Sequence, residues 1–151
     1  MDGVDLARVS DDDLRRAYQS RFRVNAGEVL CDSRQVVDHL SIYLDGRRSE
    51  AFVVIYLNSR NAVITTMVMA EGTVNQAAVY PREIIRQALL LDASALIVSH
   101  NHPSGQINPS EDDRRITRKI RQACEAMDLV LHDHVIVADG EWFSFADMGL
   151  F

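Results

Sequence analysis

Residues 95–113 read ALIVSHNHPSGQINPSEDD, an apolar run that passes without a break into a polar, turn-rich segment and then a helix start. Ala95 to Ser99 is short and rich in β-formers, the mark of an inner strand buried on both faces, and it runs straight into His100. Alternate side chains of an extended segment share a face, so His100 and His102 stand roughly 6–7 Å apart at Cα and can aim at one point. Pro103 and Gly105 then turn the chain out of the strand. A helix opening at Ser110 brings its first turn, and Asp113 with it, back towards the two imidazoles.

Working outward, the Ser110 helix carries Ile116, Ile120, Ala123, Cys124 and Met127 on one face. Residues 129–138 follow as a strand ending at Asp139-Gly140, and residues 142–145 as an edge strand. Upstream, a helix from Ser33 shows Val36, Val37, Leu40, Tyr43 and Leu44 at helical spacing before Gly46. Residues 51–57 form a buried strand, 58–61 a hairpin turn and 62–69 the returning strand. Pro81 suits the first turn of a helix with Ile84, Ile85, Ala88 and Leu89 on its apolar face. Strands interleaved with helices predict an α/β layered fold, and the hairpin makes its sheet mixed. Residues 1–25 read as a polar N-terminal arm in which Ser10 caps a short helix over 11–18; residues 26–151 read as one domain.

At 151 residues the chain suits one core. Its 47% apolar and 25% charged residues are average for globular proteins and exclude collagen-like and disulfide-scaffold classes. A net charge of −6 argues against a broad electrostatic grip on nucleic acid. No apolar run spans a bilayer and the N-terminus lacks the basic start of a signal peptide, so a cytoplasmic location is expected. Cys31 and Cys124 form no C-x-x-C pair and read as reduced thiols.

Two imidazoles and a carboxylate suit a zinc ion with a fourth position left for water, whereas structural zinc sites close with four ligands, often thiolates. His-x-His alone is a weak signal, and Ser110-x-x-Asp113 alone is a helix cap. Together, the five specified positions of His-x-His-Pro-x6-Ser-x-x-Asp recur by chance on the order of once in 10⁵ chains of this length. The expected cofactor is therefore one Zn²⁺ held by His100, His102 and Asp113, with Asp112 as an alternative to Asp113.

This constellation resembles the JAMM (MPN-plus) zinc metallopeptidase motif, and His-Asn-His-Pro-Ser-Gly followed by Pro-Ser-x-x-Asp resembles specifically the RadC family of bacterial proteins. Glu50-x-Phe52, Tyr56-Leu57-Asn58, Gly72-Thr73-Val74-Asn75, Pro81-Arg82-Glu83-Ile84 and Asp133-His134-Val135-Ile136 carry the resemblance further, over residues 33–151. It implies a cytidine-deaminase-like three-layer α/β/α fold, zinc on the three residues named, and peptidase or isopeptidase activity on a protein or peptide substrate. Longer RadC proteins carry a helix-hairpin-helix region first; residues 1–25 are too short and Gly-poor to supply it, so a short form is expected.

Hydrolysis needs a carboxylate to move the proton of the attacking water. Glu50, Glu71 and Glu83 compete; the resemblance favours Glu50, and Glu83 is explained by a helix dipole. The resemblance also gives Ser110 a place at the tetrahedral intermediate, beside its capping role. His132 and His134 alternate along one strand and would share a face; both read as satisfied surface or core histidines, with support behind the ligands or a place in the substrate cleft as the alternative for His134. Two rival functions remain: a DNA-repair-associated binding module without catalysis, and deamination, which ordinarily uses a Cys-containing zinc set. Ubiquitin-directed members of the JAMM group use insertions for which the 58–61 turn and the ligand loop leave little room. An exposed edge strand favours a homodimer.

Overall fold

The computed structural model describes residues 8–22, 27–72 and 79–151, apart from the side chains of 17–22. The expected arm–domain boundary at 25/26 and the Thr73-Val74-Asn75 match lie outside the described residues. The elements run α1 (Asp11–Phe22), α2 (Ser33–Leu44), β1 (Ala51–Leu57), β2 (Val63–Glu71), α3 (Pro81–Leu90), β3 (Ala95–Asn101), α4 (Glu111–Ala126), β4 (Val130–Ala138) and β5 (Glu141–Ser144).

The strands form one five-stranded sheet in the order β2-β1-β3-β4-β5. β1 lies antiparallel to β2 and β3, β4 runs parallel to β3 across the α4 crossover, and β5 returns antiparallel. The sheet is therefore mixed, and every residue of β1 and β3, two of its three inner strands, is buried. That is why β1 and the first four residues of β3 read as unbroken apolar runs. Val36, Leu40, Tyr43 and Leu44 of α2 pack on one face against Val53, Ile55, Ile97 and Val135. On the other face Ile84, Ile85 and Ala88 of α3 and Ile120 and Cys124 of α4 pack against Phe52, Val54, Leu96, Val98 and Leu131. Helix, sheet and helix make the expected three layers, consistent with the JAMM/MPN fold.

Local signals set the boundaries. Asp32 caps α2 by accepting from Gln35 N, Pro81 opens α3, and Gly46 lies at φ +72° just past α2. Ser10 accepts from Asp13 N at 3.1 Å and caps α1, which extends beyond the expected 11–18 to Phe22. Arg15 of this helix lies over the Tyr43 ring, 5.7 Å from its centroid. β2 starts one residue later and ends two later than expected; Ala62, just before it, accepts from Asn58 N at 2.9 Å across the hairpin turn and bridges to Val29. No helix among the described residues is long and apolar enough to cross a membrane.

The expectation that His132 and His134 share a face is corrected. Leu96 pairs with Leu131 but Ile97 with Asp133, so β4 carries a bulge at His132. An extra residue breaks the period-2 alternation. His132 is left exposed against Asn61 Oδ1, while His134 is turned to the α4 side of the sheet and buried completely.

Candidate metal centre

β3 delivers the first histidine. His100 pairs with Phe52 of β1 and Ile136 of β4 and is 1% exposed. His102, just beyond the strand, extends the parallel ladder by donating its amide to Val137 O at 2.9 Å. The chain then turns at Gly105, whose φ of +85° places it where side-chain-bearing residues are strained. A Cβ there would lie 2.5 Å from Asp139 Oδ2, so this loop rests directly on the β4–β5 turn.

α4 delivers the carboxylate. Ser110 accepts from Asp113 N at 3.0 Å, and Asp113 Oδ2 accepts from Ser110 N at 2.9 Å, a reciprocal cap that fixes both side chains. Asp113 Oδ1 lies 3.2 Å from His100 Nε2, Asp113 Oδ2 3.2 Å from His102 Nε2, and the two Nε2 atoms 2.9 Å apart. One donor atom from each residue lies within 4.8 Å of the other two, the only such group of three or more among the described residues. Asp112, by contrast, points out to Arg115 at 3.2 Å.

The donors suit a divalent ion. His102 Nδ1 donates to Gln106 O at 2.7 Å, so Nε2 is the nitrogen whose proton, shared with Asp113 in the metal-free cluster, a cation would replace. Burial raises the Asp113 carboxyl, but the hydrogen bonds from His100 and His102 outweigh it and hold the group well below the ordinary carboxylate range. The same bond to Asp113 raises His102, against the opposing effect of burial. Two nitrogens facing one carboxylate thus attract positive charge to the point where they meet.

Of the three glutamates, Glu50 is brought into electrostatic reach of His100, His102 and Asp113; burial raises its carboxyl, and the histidines oppose that rise. Glu71 pairs with Arg47 and Glu83 with Arg86, both well exposed. Asn101 ties the Glu50 segment to β3: its Oδ1 accepts from Ala51 N at 2.7 Å and its Nδ2 donates to Ser49 O at 3.1 Å. Glu50 is thereby gripped from both sides by the residue between the two histidines.

Behind His100 lies His134, with their Nδ1 and Nε2 atoms 2.8 Å apart; on its far side His134 Nδ1 meets Thr117 Oγ1 at 2.5 Å. Burial lowers the pKa of His134 well below the usual histidine value. Thr117 went unmarked in the sequence, although it stands on the buried face of α4 with Ile120 and Cys124. Beside the cluster, a groove of about 390 Å³ runs from His102 and Asn101 between the end of α2 and the β4–β5 turn, bordered by Asp45, Arg47 and Asp139.

Comparison with known proteins accords with this geometry. A family model described as "RadC-like JAB domain" matches residues 30–150. A UPF0758 protein of Vibrio atlanticus (strain LGP32) is 44% identical over 126 residues, covering 83% of this chain and 56% of that protein. A UPF0758 protein of Vibrio vulnificus (strain YJ016) is 46% identical over 123 residues, covering 82% and 55%. The chain thus spans about half the length of the curated relatives it matches. The match takes in β1 to β5 and every residue of the histidine–aspartate cluster, and the chain belongs to the RadC-like JAB domain family.

Proposed function

We propose that this chain is a zinc-dependent hydrolase of peptide or isopeptide bonds. The observation that carries the reading is the convergence of His100, His102 and Asp113, with the Glu50 carboxyl beside them. Two imidazoles and one carboxylate are the donor set of an open zinc site. Zinc held there would supply Lewis acidity and make water a competent nucleophile near neutral pH. Glu50 takes the proton of the attacking water and returns it to the departing nitrogen; its burial-raised pKa suits a group that must both accept and release a proton. Ser110 Oγ accepts from Asp113 N, which leaves its O–H to donate to the substrate carbonyl oxygen as negative charge develops there. The groove beside His102 gives an extended chain a path to the site.

Two observations weigh against the rivals. The cluster contains no thiolate, unlike the Cys-containing set of the zinc deaminases. Three of the five basic residues of α4 are paired within the helix, Arg115 with Asp112, Arg118 with Glu111 and Arg121 with Glu125, which weakens a phosphate-binding face there.

Protein purified without chelators should carry about one zinc per chain by mass spectrometry, and His100→Ala should carry almost none. Comparing proteomes exposed to wild type and to Glu50→Gln should reveal new N-termini, or new free lysines, with wild type alone. The variant should keep its zinc and lose about 10²–10⁴-fold in rate. Wild-type protein without zinc, or Glu50→Gln with full activity, would sink the reading.

A further inference from the structure

The histidine behind His100 does more than fill space. A neutral imidazole has one N–H and one lone-pair nitrogen, so a histidine that ligates through Nε2 must carry its proton on Nδ1. In His100 the Nε2 atom faces the cluster and Nδ1 faces His134 Nε2 at 2.8 Å. His134 is wholly buried, its ring nitrogens meet His100 and Thr117, and no carboxylate among the described residues bonds to either, a place where an imidazolium is costly. It therefore also carries a single proton, and accepting from His100 forces that proton onto its own Nδ1. The Nδ1–H donates to Thr117 Oγ1, and the Thr117 hydroxyl donates in turn to Asp113 O at 2.6 Å.

The reverse arrangement is equally coherent up to its last atom. If Thr117 donated to His134 Nδ1, His134 Nε2–H would donate to His100 Nδ1, and the His100 proton would sit on Nε2, inside the cluster. His100 could not then bind a cation. The carbonyl of Asp113 breaks the tie, because it can only accept and its second lone pair receives the Thr117 hydroxyl alongside the helical N–H. Aromatic packing keeps water from substituting: Phe145 stacks on His134 with centroids 4.9 Å apart, and Phe52 stands edge-on at 5.8 Å.

We propose that Thr117 and His134 are positioning residues that fix the proton on His100 Nδ1 and so keep its Nε2 lone pair turned towards the ion. The proposal rests on the reading of the cluster as a metal site. It makes the relay a closed ring, since it begins at one ligand and ends on the backbone of another, Asp113.

The test uses zinc alone. In competition with a chromophoric chelator, Thr117→Val should bind zinc about 10–100-fold more weakly than wild type, and Thr117→Ser should recover most of the loss. Independently of any variant, ¹⁵N NMR of the zinc-loaded wild type should show protons on Nδ1 of both His100 and His134. A Thr117→Val protein that folds and binds zinc as tightly as wild type, or a His134 proton found on Nε2, overturns the relay while leaving the metal site standing. A wild type that takes up no zinc overturns the metal reading, and the relay with it.

Discussion

His39 shows what a single buried side chain does to pH dependence. It is 3% exposed in α2, its Nε2 meets Thr66 Oγ1 at 2.7 Å, and its Nδ1 has no hydrogen-bond partner among the described residues. Burial lowers its pKa to about 4 from the ordinary value near 6.5, despite Glu28 Oε2 at 3.7 Å. The unfolded chain therefore binds a proton between these values that the folded chain refuses. Stability from this group is complete above pH 6.5 and is lost as pH falls through the window to about 4. The full effect is about 3 kcal/mol. Urea midpoints of zinc-free protein should fall across this window in wild type and fall less in His39→Gln; parallel slopes would refute the assignment. Individual residues were unevenly legible. His100, His102 and Asp113 stood out because their chemistry is rare at that spacing. Thr117 did not, because a hydroxyl on an apolar helical face signals nothing until the strand beneath it is known.

The elements were legible wherever local chemistry decides them. Pro81, Ser110 and the apolar run of β1 each mark a boundary that holds within a residue. The bulge in β4 was not, since it exists only in pairing with β3: Leu131 and Asp133 face consecutive residues of the neighbour, and nothing in 130–138 taken alone announces it. It nevertheless decides which histidine stands behind His100. The ligand loop is equally dependent on its neighbour. Gly105 combines φ +85° with a Cβ position 2.5 Å from Asp139 Oδ2, so Gly105→Ala meets both backbone strain and a clash. The expected cost is about 1–2 kcal/mol from the backbone alone. Displacing the loop also moves Gln106 O, which holds the His102 tautomer. Thermal unfolding should drop by several degrees and zinc affinity should fall with it; a Gly105→Ala variant indistinguishable from wild type in both would show that the loop is not held by this contact.

On the scale of the whole molecule, the layered α/β/α arrangement followed from the alternation of apolar strands and amphipathic helices. The strand order did not, since β1 separates β2 from β3 only through long-range pairing. The site lies at the ends of the parallel pair β3 and β4, where the chain leaves the sheet for α4, a usual place for function in α/β folds. An ion held there joins strand to helix, so it should stabilise the fold as a ligand that binds only the native state. At a free zinc concentration a thousand times Kd the gain is about 4 kcal/mol. Chelator-treated protein should unfold at a lower temperature, recover on adding zinc, and show no recovery as His100→Ala. An unfolding temperature unmoved by zinc in wild type would contradict this. The grip of Asn101 on both neighbours of Glu50 has a temporal meaning as well. The three donors sit on one short stretch that closes cheaply on itself, whereas Glu50 reaches them only once β1 has paired with β3 across a much longer loop. The Glu50 carboxyl is therefore the long-range member of a cluster whose other residues are neighbours in sequence, and its place there depends on the β1–β3 seam being closed.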